Sequence, residues 1–189
     1  MEHTRPTILL TALRKILSLI VYLRIGGKVG AFLPLNQHAY LPGRSTGNFL
    51  WSIQYLRSIA ERYGERAHIL QLDLEKAFDF LDRPMLLEIL RSNNLCNEDE
   101  LRMVQFLLSE TTLRAKIDGK QGPIFSTLIG TPQGDGISPI LFLIYFAHIL
   151  YAADATLHER SLLVAGHDLS LTYADDHMIA LNESPIQIA

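Results

Sequence analysis

The sequence predicts an α+β fold, with an antiparallel sheet backed by helices on one face and a mostly helical segment before it. Three observations carry that prediction. From residue 67 the patterns run strand, helices, hairpin, helix and strand hairpin. Asp118-Gly119 separates two β-prone runs, which signals a hairpin. The adjacent acids Asp175 and Asp176 interrupt an apolar, β-prone run from Leu171 to Leu181. Unpaired charge inside a strand is costly, so a tight turn is expected there.

Each element has a local reason. Residues 7–24 carry Leu and Ile at helical spacing, and Gly26, Gly27 and Gly30 are expected to break that helix. Ser45 or Thr46 can cap a second helix reaching about Tyr63, with Gly64 ending it. Residues 67–73 read as a buried strand ending in Asp73. Asp82 caps a helix with Pro84 in its first turn, running to about Ser92. Glu98 to Ser109 forms another, with acids in its first turn facing the positive end of the helix dipole. Thr111–Ile117 and Gly122–Leu128 are the hairpin strands. Ser138 and Pro139 open an apolar helix to about Ala152, and residues 169–174 and 177–181 make the last hairpin.

Several classes are excluded. Arg14 and Lys15 interrupt the apolar stretch 7–25, which favours an amphipathic helix over a membrane span. The stretch 137–151 falls short of the roughly 20 residues a span needs, so it is expected to be a core helix. Lone Cys96 excludes an internal disulfide and suits a reducing, intracellular compartment. No signal peptide is expected, because Glu2, His3 and Arg5 precede any apolar run. Gly26-Gly27-Lys28-Val29-Gly30 lacks the spacing and the Ser/Thr of a phosphate loop. Net charge is −3, yet it is uneven. Residues 1–66 hold nine Lys/Arg against three Glu, and residues 67–189 hold eight against seventeen acids. A basic part suits phosphates and an acidic part suits cations.

Asp73 and the 175/176 pair are the chemistry-bearing acids. Mg²⁺ takes hard oxygen ligands, one or two of them protein carboxylates, with water and substrate phosphates completing the octahedron. Two such ions about 3.5–4 Å apart clamp the attacking and leaving oxygens of a phosphoryl transfer. Only a folded sheet can bring Asp73 to Asp175, by setting the end of one strand beside the turn of another.

These residues resemble a known family. Leu72-Asp73-Leu74-Glu75-Lys76-Ala77-Phe78-Asp79 resembles motif A of reverse transcriptases. Gly130-Thr131-Pro132-Gln133-Gly134-Asp135-Gly136-Ile137-Ser138-Pro139-Ile140-Leu141-Phe142 resembles motif B, and Tyr173-Ala174-Asp175-Asp176 resembles motif C. Gln37 to Thr46, including Pro42-Gly43-Arg44-Ser45, is similar to the fingers motif of non-LTR retrotransposon and group II intron enzymes. Arg5-Pro6-Thr7-Ile8 resembles the opening of their fingers. Together these motifs, in family order, cover nearly the whole chain.

The resemblance implies a polymerase palm over residues 67–189 and a fingers part over 1–66. It implies template-directed addition of dNTPs to a primer 3′-OH, using two Mg²⁺ ions, or Mn²⁺, with an RNA template and a DNA primer and no membrane. Asp73 and Asp175 would ligate the ions, Leu74 would belong to the metal site, and Asp176 would be the accessory acid near the primer end. Phe78 either packs in the core or forms a steric gate against a ribose 2′-OH. Gln133 and Gly134 would meet the incoming nucleotide, with Gly130, Gly134 and Gly136 letting backbone approach a ligand. Arg44 could grip a phosphate, and Lys76 is either a phosphate contact or a solvated cation. Ala77 is counted with the substrate residues, Tyr173 either packs in the sheet or lies near the primer terminus, and His177 is expected as a plain strand residue. Asp135 is expected to cap a helix or face solvent.

The chain ends at Ala189, where the family continues with motif D, a primer grip and a helical thumb. The palm is therefore expected to be incomplete and without a thumb, as in a fragment, a truncated element copy or a piece working beside another polypeptide. The competing readings are a catalytically inactive retroelement remnant and an RNA-dependent RNA polymerase palm. Ala174, where such polymerases carry Gly, and Phe78 count against the latter.

Overall fold

The structure, a computed structural model, describes residues 8–63, 68–109, 111–117, 119–157, 163–164, 167–168 and 170–181. The expectations on Arg5, Pro6, Thr7, Gly64, Ala67, Asp118 and residue 169 fall outside the described residues. The chain forms two compact units, each assembled from separated stretches: Met1–Phe32 with Lys76–Tyr145, and Leu33–Glu75 with Phe146–Ala189.

The first unit holds helices α1 (Ala12–Phe32), α3 (Arg83–Ser92) and α4 (Glu98–Leu108), hairpin strands β2 (Thr111–Ile117) and β3 (Lys120–Thr127), and the start of α5 (Ser138–Leu157). Its core is mostly aliphatic, with Phe142 among its buried side chains. Val21, Ile25 and Val29 of α1, Leu86 and Leu90 of α3, Val104 and Leu107 of α4 and Ile140–Ile144 of α5 are all buried. The helix starts form as their sequences specify. Asp82 accepts a bond from the Met85 amide at 2.8 Å, and Asn97 and Glu100 form a reciprocal capping box. At the turn of the β2–β3 hairpin Gly119 takes φ 78°, as the Asp-Gly signal requires.

Gly26, Gly27 and Gly30 do not end α1, contrary to expectation; the helix runs through them to Phe32. Each glycine costs about 1 kcal/mol in a helix interior. Burying Ile25 and Val29 on the same helix offsets this, at roughly 1.5–3 kcal/mol per side chain. The opposite face of α1 leaves Leu13, Ile16, Ile20 and Leu23 exposed at alternating three- and four-residue spacing.

The second unit contains α2 (Thr46–Tyr63), β1 (His68–Leu72), β6 (Ser170–Tyr173), β7 (Asp176–Leu181) and the small hairpin β4 (Leu163–Val164) with β5 (His167–Asp168), for which the sequence offered no signal. β1, β7 and β6 form an antiparallel sheet in that order. The segment around Gln37 adds a parallel bridge at Thr172. β1 is an edge strand, so it is half-buried or exposed rather than buried as expected. α5 is apolar on every side and longer than expected. No helix among the described residues is long and apolar enough to cross a membrane.

Candidate active site

The acids come together through strand register. β1 pairs with β7 from His68↔Leu181 to Leu72↔His177. One residue further on, Asp73 leaves β1 opposite Asp176, the first residue of β7. β6 reaches β7 through a two-residue turn, Ala174-Asp175, closed by the Tyr173↔Asp176 pair. Asp175 therefore lies in the turn, and Asp176 belongs to the strand rather than the turn. Burial first, then the charge of Asp175, then that of Asp73, raises the Asp176 carboxyl above its ordinary value. All three acids thus share one electrostatic neighbourhood. Leu74 follows Asp73 and is exposed.

The turn is held from beneath. Ala174 takes φ 57°, unusual for a residue with a Cβ. The Gln37 side chain, buried, accepts from the Ala174 amide at 3.1 Å and from Ala39 N–H at 3.0 Å, and donates to the Ala174 carbonyl. Main-chain bonds from His38 to Thr172 and from Thr172 to Asn36 fix the same segment. Arg44 donates to the Pro34 and Gln37 carbonyls, so it staples this loop. Tyr173 packs near Phe49, with ring centroids 5.9 Å apart. His177 is buried in the strand and bonded to Thr172 at 2.7 Å, a cross-strand pair.

In the first unit, residues 76–79 form a turn in which the Lys76 carbonyl accepts from the Asp79 amide at 2.8 Å. Lys76 sits at φ 53° with an exposed side chain, and Ala77 is half-buried. Half-buried Phe78 stacks obliquely on Phe142 of α5, centroids 4.7 Å apart, which leaves part of its ring accessible. The motif B loop is sewn to this turn. Thr131 N–H donates to the Phe78 carbonyl at 2.9 Å, and Gln133 Nε2 reaches Asp79 Oδ1 at 3.4 Å. Gly130, φ 75°, makes its close approach to this turn of its own chain. Gly134 also has positive φ, 103°. A Cβ on Gly136 would meet nothing within 4 Å.

Two arginines brace the loop, and neither stands out in the sequence. Arg83, buried, donates to the carbonyls of Gly130, Thr127 and Ile129 and to the Thr127 hydroxyl. One faint signal existed: a cation in the first turn of a helix opposes the dipole, so it must be employed elsewhere. Arg14 of α1 binds Asp135 Oδ2 at 3.0 Å and also donates to the Leu107 carbonyl. Asp135 is therefore buried and paired, neither capping by its side chain nor facing solvent, because a carboxylate inside this core needs a cation.

Comparison with known proteins gives the family. The family model described as reverse transcriptase (RNA-dependent DNA polymerase) matches residues 1–187. The RNA-directed DNA polymerase from mobile element jockey of Drosophila melanogaster is 27% identical over 191 residues, covering 100% of this chain and 20% of that protein. Apo telomerase of Candida tropicalis lacking its C-terminal domain superposes with TM-score 0.57 at 12% identity, over 87% of this chain and 34% of that one. Candida tropicalis telomerase in complex with a fragment of telomeric RNA gives 0.57 at 13% identity, over 93% and 29%. The telomerase likeness speaks for the fold alone, and this chain spans about a fifth of the jockey polymerase. With α+β architecture, acids in register and a family match over nearly its whole length, the chain belongs to the reverse transcriptase (RNA-dependent DNA polymerase) family.

Proposed function

We propose that this chain is the fingers and palm of an RNA-directed DNA polymerase, extending a primer 3′-OH with dNTPs on an RNA template. Residues 1–66 make the fingers part and residues 67–189 the palm in this reading. The register that sets Asp73 across from Asp176, with Asp175 in the intervening turn, carries it.

The donor set fits divalent metal. Burial first, then the charges of Asp175 and Asp73, make Asp176 hold its proton more tightly than usual, and a cation would relieve the charge part. Among the described residues, no three His, Cys, Asp or Glu side chains close into a ready-made cage. Mg²⁺ needs only one or two protein carboxylates, with water and substrate phosphates in its remaining positions. Asp73 and Asp175 would be the ligands, with Leu74 beside them and Asp176 the accessory acid. When bound, a pair of Mg²⁺ or Mn²⁺ ions lowers the pKa of the primer hydroxyl and stabilises the leaving pyrophosphate. The protein's own part is positioning. Gln133 and Gly134 meet the nucleotide, the accessible part of Phe78 disfavours a ribose, and Tyr173 lies toward the primer end. Arg44, whose bonds hold the Gln37 loop, and exposed Lys76, next to Ala77, are the cations offered to phosphate.

Primer extension on an RNA template with Mg²⁺ and dNTPs tests the reading. The chain, its Asp175→Asn variant and the chain joined to a downstream thumb should be compared. Extension by the wild-type or joined form, lost in Asp175→Asn, is expected. No extension by either form would favour the inactive-remnant alternative.

A further inference from the structure

We propose that Gln37 is a positioning residue for the catalytic turn: its buried amide sets the backbone of Ala174 and so aims the carboxylate of Asp175. This rests on the reading of Asp73 and Asp175 as metal ligands.

The argument starts from strain. An L-residue with positive φ is strained, and such a conformation persists only where the surroundings over-determine it. Ala174 holds φ 57° one residue before Asp175 and is itself buried. A buried residue must satisfy both its backbone N–H and its C=O. The Gln37 side chain meets both, accepting from Ala174 N–H at 3.1 Å and donating to Ala174 C=O at 3.4 Å. A side-chain amide can play both roles at once, whereas a carboxylate only accepts and an apolar side chain does neither.

The clamp is itself braced. Gln37 Oε1 also accepts from Ala39 N–H, and its carbonyl receives Arg44. Its backbone bridges to Thr172, and the neighbouring Asn36 side chain bonds Ser170. The loop from Pro34 to Arg44 is thus fastened to β6 on one side of the turn. Moving Ala174 out of its positive-φ conformation would strain both bonds to this one side chain and swing the Cα of Asp175. Outer groups that orient a metal ligand typically change affinity 10–100-fold when removed.

The test measures Mn²⁺ binding to the full chain, without primer or nucleotide, together with thermal melting in EDTA. Asp175→Asn identifies the site and should abolish tight binding. Gln37→Met, similar in volume but without hydrogen bonds, should weaken Mn²⁺ binding about tenfold or more while the chain remains folded. Gln37→Asn, whose amide is one methylene short, should fall between and serves if the Met variant does not fold. Adding Ala174→Gly to Gln37→Met relieves the strain, so melting should recover while the affinity stays weak. A folded Gln37 variant binding Mn²⁺ within twofold of wild type overturns the proposal and leaves the metal reading standing. Recovery of affinity with Ala174→Gly, or failure of both Gln37 variants to fold, overturns it in favour of a purely structural glutamine. Undiminished binding in Asp175→Asn overturns the metal reading and this proposal with it.

Discussion

Gly130 lies so close to Phe78 that a Cβ built on it would stand 2.8 Å from the Phe78 carbonyl oxygen. It would also lie 2.7 Å from the carbonyl oxygen of Asp79, and both neighbours are backbone that cannot rotate away. Gly130→Ala combines that clash with a positive φ of 75°. A loss of roughly 2–4 kcal/mol is expected, from positive-φ strain plus overpacking, read as a lower urea midpoint with unchanged slope. Wild-type stability in this variant would contradict the packing of the motif B loop on the motif A turn.

The Arg14–Asp135 pair gives an asymmetric outcome. Arg14 keeps 20% exposure and Asp135 only 1%. Removing the cation strands a buried carboxylate, so Arg14→Ala should cost about 3 kcal/mol, the low end for a broken buried pair. Replacing both partners by Leu should recover most of it, because a packed apolar pair needs no desolvation. Equal instability of the single and double variants in urea unfolding would argue against this account.

Phe78→Ala should admit ribonucleotides in primer extension, since the accessible part of the ring is what would meet a 2′-OH. The lost contact with Phe142 should also lower stability. Unchanged dNTP-over-rNTP preference, with the melting temperature lowered, would reduce Phe78 to a packing residue.

Glycines 26 and 27 are dispensable for shape, because a Cβ at either would meet nothing within 4 Å. Gly27→Ala on this exposed helix position should stabilise the chain by about 0.5–1 kcal/mol through better helix propensity and a less flexible unfolded chain. A melting temperature at or below wild type would mean α1 is not continuous there.

For Asp176 the direction of the pH effect follows from its raised pKa. An acid that holds its proton more tightly when folded favours the fold below its unfolded pKa, about 3.9 for aspartate. That contribution is lost as pH rises through the folded value. In EDTA, Asp176→Asn should therefore gain stability relative to wild type as pH increases from about 4 toward neutrality. A difference curve flat across that window would show that neither burial nor the neighbouring acids raise the Asp176 carboxyl.

The nearest-neighbour chemistry of the chain was legible without coordinates. Asp82 and Pro84 start α3, acids fill the first turn of α4, and Gly119 lies between β2 and β3. Asp73, Asp175 and Asp176 stood out because their charge breaks an apolar β pattern. Where local cues compete with packing, the sequence misled: three glycines argue against a helix that Ile25 and Val29 hold together by burial.

Partners far apart in the chain were invisible. Nothing local distinguishes Gln37 from a surface glutamine, or tells that Asp135 would be buried against Arg14 across more than a hundred residues. The sequence by itself determined which residues bear charge, turn the chain or start a helix, since those depend on side-chain type and short spacing. Only the tertiary structure decided which strand ends lie side by side and which amide or guanidinium holds the loops, because register and burial arise from the packing of distant segments.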